Sequence, residues 1–278
     1  MHVGVMIFST DYTIQPAELA VALEERGFES LFVPEHTHIP ASRKSPWPGG
    51  ADLPKDYWHT HDPFVALAYA GAVTKNLKLG TGLCLLAQRE PIVTAKSVAS
   101  LDMMSNGRFI FGIGGGWNVE EMEDHGVAYK TRFAQMRENV LAMQALWTEE
   151  EASFHGDFVN FDATWAHPKP VQKPRIPVIL GGETDYTLRR IVEYGDGWLP
   201  RARGGFDAKE NMARMARMAE EGGRDPSEFS VSVFGAPGER EVLDGYAEAG
   251  VTRALLTLPS EPRDDVLRRL DKYAPLTA

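Results

Sequence analysis

Short apolar segments recur along the whole chain, and each is followed by a segment with the spacing of a helix and a helix start signal. The apolar segments, rich in Val, Ile, Leu and Phe, lie at residues 3–8, 30–33, 77–86, 108–113, 177–180, 197–199, 229–234 and 252–258. The predicted helices lie at 16–26, 62–76, 91–104, 131–147, 185–194, 207–221, 239–249 and 263–273. This alternation predicts a parallel sheet.

The alternation gives eight β/α units without an antiparallel interruption. Such a series favours closure into a barrel, because closure removes the two exposed edges of an open sheet. We therefore predict an α/β fold, a single (β/α)8 TIM barrel domain over residues 1–278. An open doubly wound sheet is the alternative.

Two segments interrupt the rhythm, 37–61 after the second strand and 152–173 between the fourth helix and the fifth strand. Long irregular segments in compact domains are usually lids or binding loops. We expect both to lie on the C-terminal side of the barrel as walls of a substrate site. Their aromatic residues point to an organic substrate: Trp47, Tyr57, Trp58, Phe154 and Trp165.

Composition and charge exclude several classes of protein. The net charge is -10 and no run of Lys or Arg is dense, so nucleic acid is a poor partner. Cys84 is the only cysteine, which excludes an intrachain disulfide and the usual cysteine metal sites. Because no long apolar run or secretion signal is present, we expect a cytoplasmic protein with a small-molecule organic substrate and no membrane partner.

A glycine cluster, Gly112-Ile113-Gly114-Gly115-Gly116, precedes Trp117 after the fourth strand. Backbone N–H groups of glycines can approach an anion closely, which suits a phosphate; a plain tight turn is the other interpretation. The dinucleotide motif Gly-x-Gly-x-x-Gly fails, because its last glycine would fall on Trp117. Gly181-Gly182, at the start of a helix, is a second phosphate candidate.

His36 follows the second strand, where its side chain can hydrogen-bond to a redox ring or exchange protons with it; a structural histidine is the alternative. His36 and His38 also form a His-x-His pair, but the later strands end without the further ligands that metal-dependent barrel hydrolases need. We therefore predict no metal site.

Gly80-Thr81-Gly82 weakens regular strand pairing, which indicates a bulge, close approach of a flat ligand, or room for a core aromatic residue. Trp117 and Trp198 either border an aromatic ligand or fill the barrel rim.

Together these motifs resemble those of the bacterial luciferase-like flavin and deazaflavin superfamily. The resemblance rests first on the joined pattern of Leu101 to Arg108, Gly112 to Trp117, and Glu121. Further motifs follow in the same order along the chain: Pro34-Glu35-His36, Gly80-Thr81-Gly82, Glu90-Pro91, Gly181-Gly182 and Gly195-Asp196-Gly197-Trp198. Within the superfamily the chain is most similar to the probable coenzyme F420-dependent oxidoreductases of actinobacteria.

This resemblance implies hydride transfer between C5 of coenzyme F420 and a small organic substrate. His36 would be the catalytic residue facing the ring, and a non-proline cis peptide at Gly82-Leu83 would back it. The implied cofactor-binding residues are Glu35, Gly82, Leu83, Gly114, Gly115, Gly116, Trp117, Gly181, Gly182 and Trp198. Relatives of this kind are often homodimers, so we also expect a homodimer.

Trp117 stands where F420-dependent sugar-phosphate dehydrogenases carry an acidic residue, so we do not expect sugar-phosphate oxidation.

Two alternatives to an F420-dependent oxidoreductase stay open. FMN-dependent monooxygenases also carry Trp at this position, so FMN is the alternative cofactor. A barrel that keeps the cofactor cradle as a non-catalytic binding or sensor protein is the other alternative.

Overall fold

Eight parallel strands close into a barrel in the computed structural model, which describes residues 1–50 and 52–278. The strands of the chain are β1 (His2–Met6), β2 (Ser30–Val33), β3 (Lys78–Thr81), β4 (Phe109–Ile113), β5 (Ala152–His155), β6 (Asn160–Thr164), β7 (Val178–Gly181), β8 (Gly197–Leu199), β9 (Ser230–Phe234) and β10 (Arg253–Thr257). β1 closes the barrel by pairing with β10, from His2 beside Arg253 to Met6 beside Thr257. The predicted TIM barrel is confirmed, and β5 and β6 stand outside it as a separate hairpin.

Helices cover the outside of the barrel. They are α1 (Pro16–Glu25), α2 (Asp56–His59), α3 (Pro63–Gly71), α4 (Pro91–Met104), α5 (Val119–Asp124), α6 (Arg132–Thr148), α7 (Asp185–Tyr194), α8 (Ala208–Glu221), α9 (Arg240–Glu248) and α10 (Arg263–Tyr273). The sequence predicts the start of α4 correctly because Glu90 caps its first N–H groups and Pro91 fits the first helical position. Of the helices described, none is both long and apolar enough to cross a membrane.

The barrel interior is filled by one apolar side chain from each of several strands. These are Met6, Phe32, Ile110, Ile179, Leu199 and Leu255. The ring of Phe32 fills the space in front of Gly80, so this glycine makes room for a core aromatic residue. Below this layer, Arg253 pairs with Glu29 and donates to the Ser232 hydroxyl at 2.9 Å.

The third strand is shorter than predicted. It ends at Thr81, and the peptide bond Gly82–Leu83 shortly after it is cis, as the family resemblance implies. Beyond it the chain stays beside β4: the Cys84 N–H donates to the Gly112 carbonyl, and the Gly114 N–H donates to the Cys84 carbonyl. The predicted bulge therefore lies at the C-terminal end of β3.

The insertion 37–61 lies over the C-terminal end of the barrel, as expected, and contains only the short helix α2 within its described part. Its end is fixed by a hydrogen bond of 2.8 Å from the His61 N–H to the Ser9 carbonyl.

The insertion 152–173 differs from the prediction. It leaves the end of α6 and leads into β7, so both of its ends lie at the N-terminal end of the barrel, and it contains the β5–β6 hairpin. The hairpin turn is held against α6, because the Glu138 carboxylate accepts the N–H groups of 157, 158 and 159. No residue of this insertion lines the cavity at the barrel mouth described below, whereas the hairpin turn at 158–160 borders a second cavity with Gln88 and His125.

The motif from Leu101 to Arg108 anchors this insertion. Asp102 accepts hydrogen bonds from the N–H groups of Val171 and Gln172. Arg108 donates to the carbonyls of Gly71, Leu77 and Ser105. This part of the family pattern therefore serves the fold.

Candidate active site

A cavity of about 410 Å³ opens at the C-terminal mouth of the barrel. Trp47 and Tyr57 from the 37–61 insertion form one side, and Trp117 follows β4. The remaining wall comes from the ends of three later strands: Arg201, Ala202, Arg203, Phe234, Gly235, Pro237 and Thr257. Aromatic walls with a few polar groups are typical of a site for an organic ligand.

His36 lies beside this cavity and is buried together with Glu121. The Nδ1 atom of His36 lies 2.8 Å from Glu121 Oε2, so Nδ1–H donates to the carboxylate. The other carboxylate oxygen accepts the Thr37 N–H at 3.1 Å. With Nδ1 occupied in this way, the lone pair of the imidazole belongs to Nε2, and no hydrogen bond between the described residues involves Nε2.

Helix α5 places Glu121. Asn118 caps this helix by accepting the Glu121 N–H at 3.1 Å, which puts the carboxylate in the first turn, facing the end of β2. Sequence reasoning included Glu121 in the family pattern but did not assign it to the site. The spacing Asn-x-x-Glu after Trp117 is a helix start signal and was the available clue.

Aromatic rings surround His36. Its ring centroid lies 5.1 Å from Tyr57 and 5.8 Å from Trp117. Tyr57 also contacts Phe8 and Trp47, at 4.7 and 5.8 Å. Burial raises the pKa of the Tyr57 hydroxyl above its ordinary value, so this group stays protonated at neutral pH.

His38 takes partners of its own. Its Nε2 lies 3.0 Å from Asp124, and the Thr37 hydroxyl lies between His38 and His125, at 2.9 and 2.7 Å. His36 and His38 therefore do not converge on one point.

The bulge after β3 packs against the predicted cradle. Leu83 lies against Gly114 and Gly181, and a Cβ added at Gly114 would come within 2.8 Å of its Cδ1. Glu35 supports the bulge from behind, since its carboxylate accepts the Leu85 N–H at 2.8 Å and Arg89 Nε at 2.7 Å. Glu35 is 3% exposed, and its carboxylate is committed to these protein groups.

The glycine loop after β4 offers free N–H donors. Among the hydrogen bonds of the described chain, none is donated by the N–H of Gly115, Gly116 or Trp117, nor by that of Gly182. Gly116 and Gly182 have φ values of +70° and +114°, which residues with a Cβ rarely adopt. Unpaired N–H groups on such a backbone fit an anion such as a phosphate.

Packing also requires these glycines. A Cβ on Gly115 would come within 2.5 Å of the Phe133 ring, and one on Gly116 within 2.6 Å of Met122 Cε. The turn and the cradle interpretations are thus compatible, because the Cβ positions face protein while the N–H groups lack partners.

Trp198 lies away from the cavity. It is fully buried on the helix-facing side of β8, against Phe206 at 6.1 Å. Its indole N–H donates to the Gly182 carbonyl at 2.6 Å. Trp198 therefore fixes the position of the second glycine turn.

Two arginines at the mouth were not singled out from the sequence. Arg201 pairs with Glu183 through two nitrogens at 2.8 and 2.9 Å, and these hydrogen bonds raise its pKa. Arg203 donates to the Gly49 carbonyl at 2.9 Å. Nothing in their local sequence distinguishes them from surface arginines.

Known proteins share this sequence pattern along most of its length. A model of the luciferase-like monooxygenase family matches residues 9–239. An uncharacterized protein of Mycobacterium tuberculosis (strain ATCC 25618 / H37Rv) is 41% identical over 99% of this chain and 98% of its own. The F420-dependent hydroxymycolic acid dehydrogenase of the same strain is 30% identical over 81% of this chain and 59% of its own.

Solved structures show the same fold at lower identity. The monooxygenase RslO1 from Streptomyces bottropensis has a TM-score of 0.80 at 18% identity, covering 99% of this chain and 98% of its own. An F420-dependent secondary alcohol dehydrogenase in complex with an F420–acetone adduct has a TM-score of 0.76 at 19% identity over 100% of both chains. Since the family model matches most of the chain and a relative aligns from end to end, this chain belongs to the luciferase-like monooxygenase family.

Proposed function

We propose that the protein is an F420-dependent oxidoreductase acting on a small organic substrate. The observation that carries this proposal is the buried His36–Glu121 pair beside an aromatic-walled cavity, next to a bulge and a loop of unpaired N–H groups. The 30% identical dehydrogenase, which is F420-dependent by name, supports F420 over FMN.

The residues present fit such a cofactor. Gly115, Gly116 and Trp117, with Gly182, would donate their N–H groups to its phosphate. The Gly82–Leu83 bulge would support its ring, while Glu35 would hold the bulge and Trp198 the Gly182 turn. Bound F420 supplies a two-electron hydride donor or acceptor at C5 of its deazaflavin ring.

His36 would exchange a proton with the substrate. Because Nδ1–H donates to Glu121, Nε2 is the atom able to accept a proton as hydride leaves the substrate, or to return it in the reverse direction. Glu121 would then face an imidazolium, whose charge the buried carboxylate stabilises. Tyr57 and Trp117 contact the imidazole ring of His36 and would keep water away from it.

We propose that the protein forms a homodimer through α3 and α4. Both helices expose large apolar side chains: Val65 is 69% and Tyr69 55% exposed on α3, and Val93 is 65% and Met104 74% exposed on α4. An apolar surface on two neighbouring helices is typical of a protein–protein interface. A second copy of this chain would cover it.

Fluorescence titration of the purified protein with F420 and with FMN tests the cofactor. We expect F420 to bind at least about tenfold more tightly than FMN, a difference of about 1.4 kcal/mol. Tight FMN binding without F420 binding, together with NADH-driven oxygen uptake, would instead identify an FMN-dependent monooxygenase.

Turnover tests the enzyme assignment. Reduced F420 is mixed with a panel of aldehydes, ketones and unsaturated carbonyl compounds, and its reoxidation is followed by absorbance. We expect at least one acceptor to reoxidise it, and we expect His36→Ala to abolish this reaction while retaining F420 affinity. Bound F420 that no acceptor reoxidises would indicate a sensor protein.

A further inference from the structure

Two arginines meet on one aromatic ring beside the glycine loop. Arg132, at the start of α6, places its Cζ 4.3 Å from the centroid of the Phe133 ring, and Arg190, on α7, lies 3.9 Å from the same centroid. Phe133 is also the residue against which Gly115 packs. Both guanidinium groups therefore lie on a ring that also borders the loop of unpaired N–H groups.

Neither arginine has a carboxylate partner in the described chain. Arg132 donates to the Tyr129 carbonyl at 2.7 Å, and its buried Nε atom has no partner. The acidic residues around α7 are already paired with other arginines: Glu183 with Arg201, Asp185 with Arg214, and Glu193 with Arg137. Two unneutralised guanidinium groups are notable in a chain with a net charge of -10.

The two positive charges work against each other. Burial lowers the pKa of Arg132, and the charge of Arg190 lowers it further. Both side chains are partly buried, so water screens this repulsion incompletely. A bound anion would relieve it, and guanidinium groups bind carboxylates with good geometry.

We propose that Arg132 and Arg190 bind the acidic tail of F420 beyond its phosphate. The proposal rests on the proposed function, since it takes the phosphate of F420 to occupy the N–H groups of the glycine loop. In F420 this phosphate is joined through lactate to glutamate units, whose carboxylates extend beyond it, whereas FMN ends at the phosphate. The arginine pair thus suits the cofactor with a carboxylate tail.

Three deazaflavins of different length test the proposal. The first, FO, is the deazaflavin ring with its ribityl chain and lacks the phosphate and the tail. The second, F420-0, has the phosphate and lactate without glutamate. The third, F420 with several glutamates, has the whole tail. Fluorescence titration gives the dissociation constant of each with the wild type, Arg132→Gln, Arg190→Gln and Arg190→Lys. Arg189→Gln is the matched control, because Arg189 is exposed on the same helix and faces Tyr186.

We expect the wild type and Arg189→Gln to bind the full F420 about three- to tenfold more tightly than F420-0, as two partly exposed ion pairs allow. Arg132→Gln and Arg190→Gln should lose this preference with unchanged affinity for FO, and Arg190→Lys should keep most of it. Added salt should weaken the preference in the wild type.

The proposal is overturned if the wild type shows no preference or if both glutamine variants keep it. It is also overturned if the variants lose as much affinity for F420-0 as for F420 with several glutamates, since the arginines would then bind the phosphate or the lactate carboxylate and not the glutamates. Binding of FMN with no binding of any deazaflavin would overturn the proposed function itself. If Arg132→Gln and Arg190→Gln lose as much affinity for FO as for the full F420, the arginines serve only the packing of Phe133, and the proposal is overturned.

Discussion

Nδ1 of His36 lies 2.8 Å from Oε2 of Glu121, and the two side chains come from separate elements at the mouth, the end of β2 and the first turn of α5. Glu121 has no exposed surface, and its second oxygen accepts the Thr37 N–H. Both polar groups that contact this carboxylate are donors, so both of its oxygens act as acceptors. Such a group fixes both the orientation of the imidazole and the nitrogen that carries its proton.

Glu121→Gln should slow hydride transfer by about 10- to 1000-fold, with little change in F420 affinity. A glutamine offers only one acceptor to the two donors, so its NH2 group is forced toward His36 or Thr37. Facing Nδ1, that NH2 group moves the imidazole proton to Nε2. Single-turnover absorbance measures the rate, and nitrogen NMR of His36 reports which ring nitrogen is protonated.

Glu120→Gln is the control, because Glu120 is adjacent in sequence but accepts from the Ser45 N–H and hydroxyl instead. It should leave the His36 spectrum unchanged. An unaltered rate and spectrum in Glu121→Gln would contradict the positioning role of Glu121.

Gly115→Ala should lower the free energy of unfolding by about 1–3 kcal/mol, because the new Cβ would meet the Phe133 ring at 2.5 Å. The double variant with Phe133→Leu should regain stability. Urea unfolding measures this, and F420 titration of the double variant separates packing from binding. Affinity equal to that of Phe133→Leu alone would show that the cradle acts through its N–H groups, whereas affinity lower than that of Phe133→Leu would mean that the Cβ itself enters the phosphate site.

Val93→Glu should convert a dimer to a monomer in analytical ultracentrifugation. A charge at this 65% exposed position on α4 would be buried without a partner in the interface. Tyr186→Glu is the matched control, since Tyr186 is 67% exposed on α7, away from α3 and α4. A monomeric wild type would show that the protein has no such interface. A dimer that Val93→Glu leaves intact would show that the interface lies elsewhere.

Glu29→Gln should destabilise the barrel by about 3 kcal/mol at neutral pH, because it leaves Arg253 buried without a counter-charge. Burial alone would raise the pKa of the Glu29 carboxyl, but its hydrogen bonds and ion pair with Arg253 hold this pKa below 4.5. The contribution is therefore fully present above about pH 4.5 and is lost as the pH falls through the lowered folded pKa.

Urea midpoints measured from pH 3 to 7 check this pH dependence. The difference between wild type and Glu29→Gln should shrink at the acidic end. Glu18→Gln, which removes a pair whose side chains are 44% and 55% exposed, should change the midpoint little at any pH. A constant difference across the range would show that the Glu29 charge is not the cause.

The sequence by itself determined the barrel and the order of its elements. The spacing of apolar residues, the capping pair Glu90-Pro91 and the glycine motifs act locally, and local preferences can be read along the chain. The glycine turns at Gly116 and Gly182 and the position of His36 at the mouth belong to the same local signals, whereas the family resemblance, and not a local signal, placed the bulge at Gly82–Leu83.

Only the tertiary structure decided which side chains meet. Glu121 reaches His36 across 85 residues, Glu35 serves the bulge, and Trp198 turns away from the cavity. Arg132 and Arg190 meet on Phe133 because two neighbouring helices pack together. The placement of 152–173 was likewise decided by the hairpin and by Glu138. These contacts depend on how distant elements pack in three dimensions, and no periodicity along one chain specifies which distant partners will share a buried position.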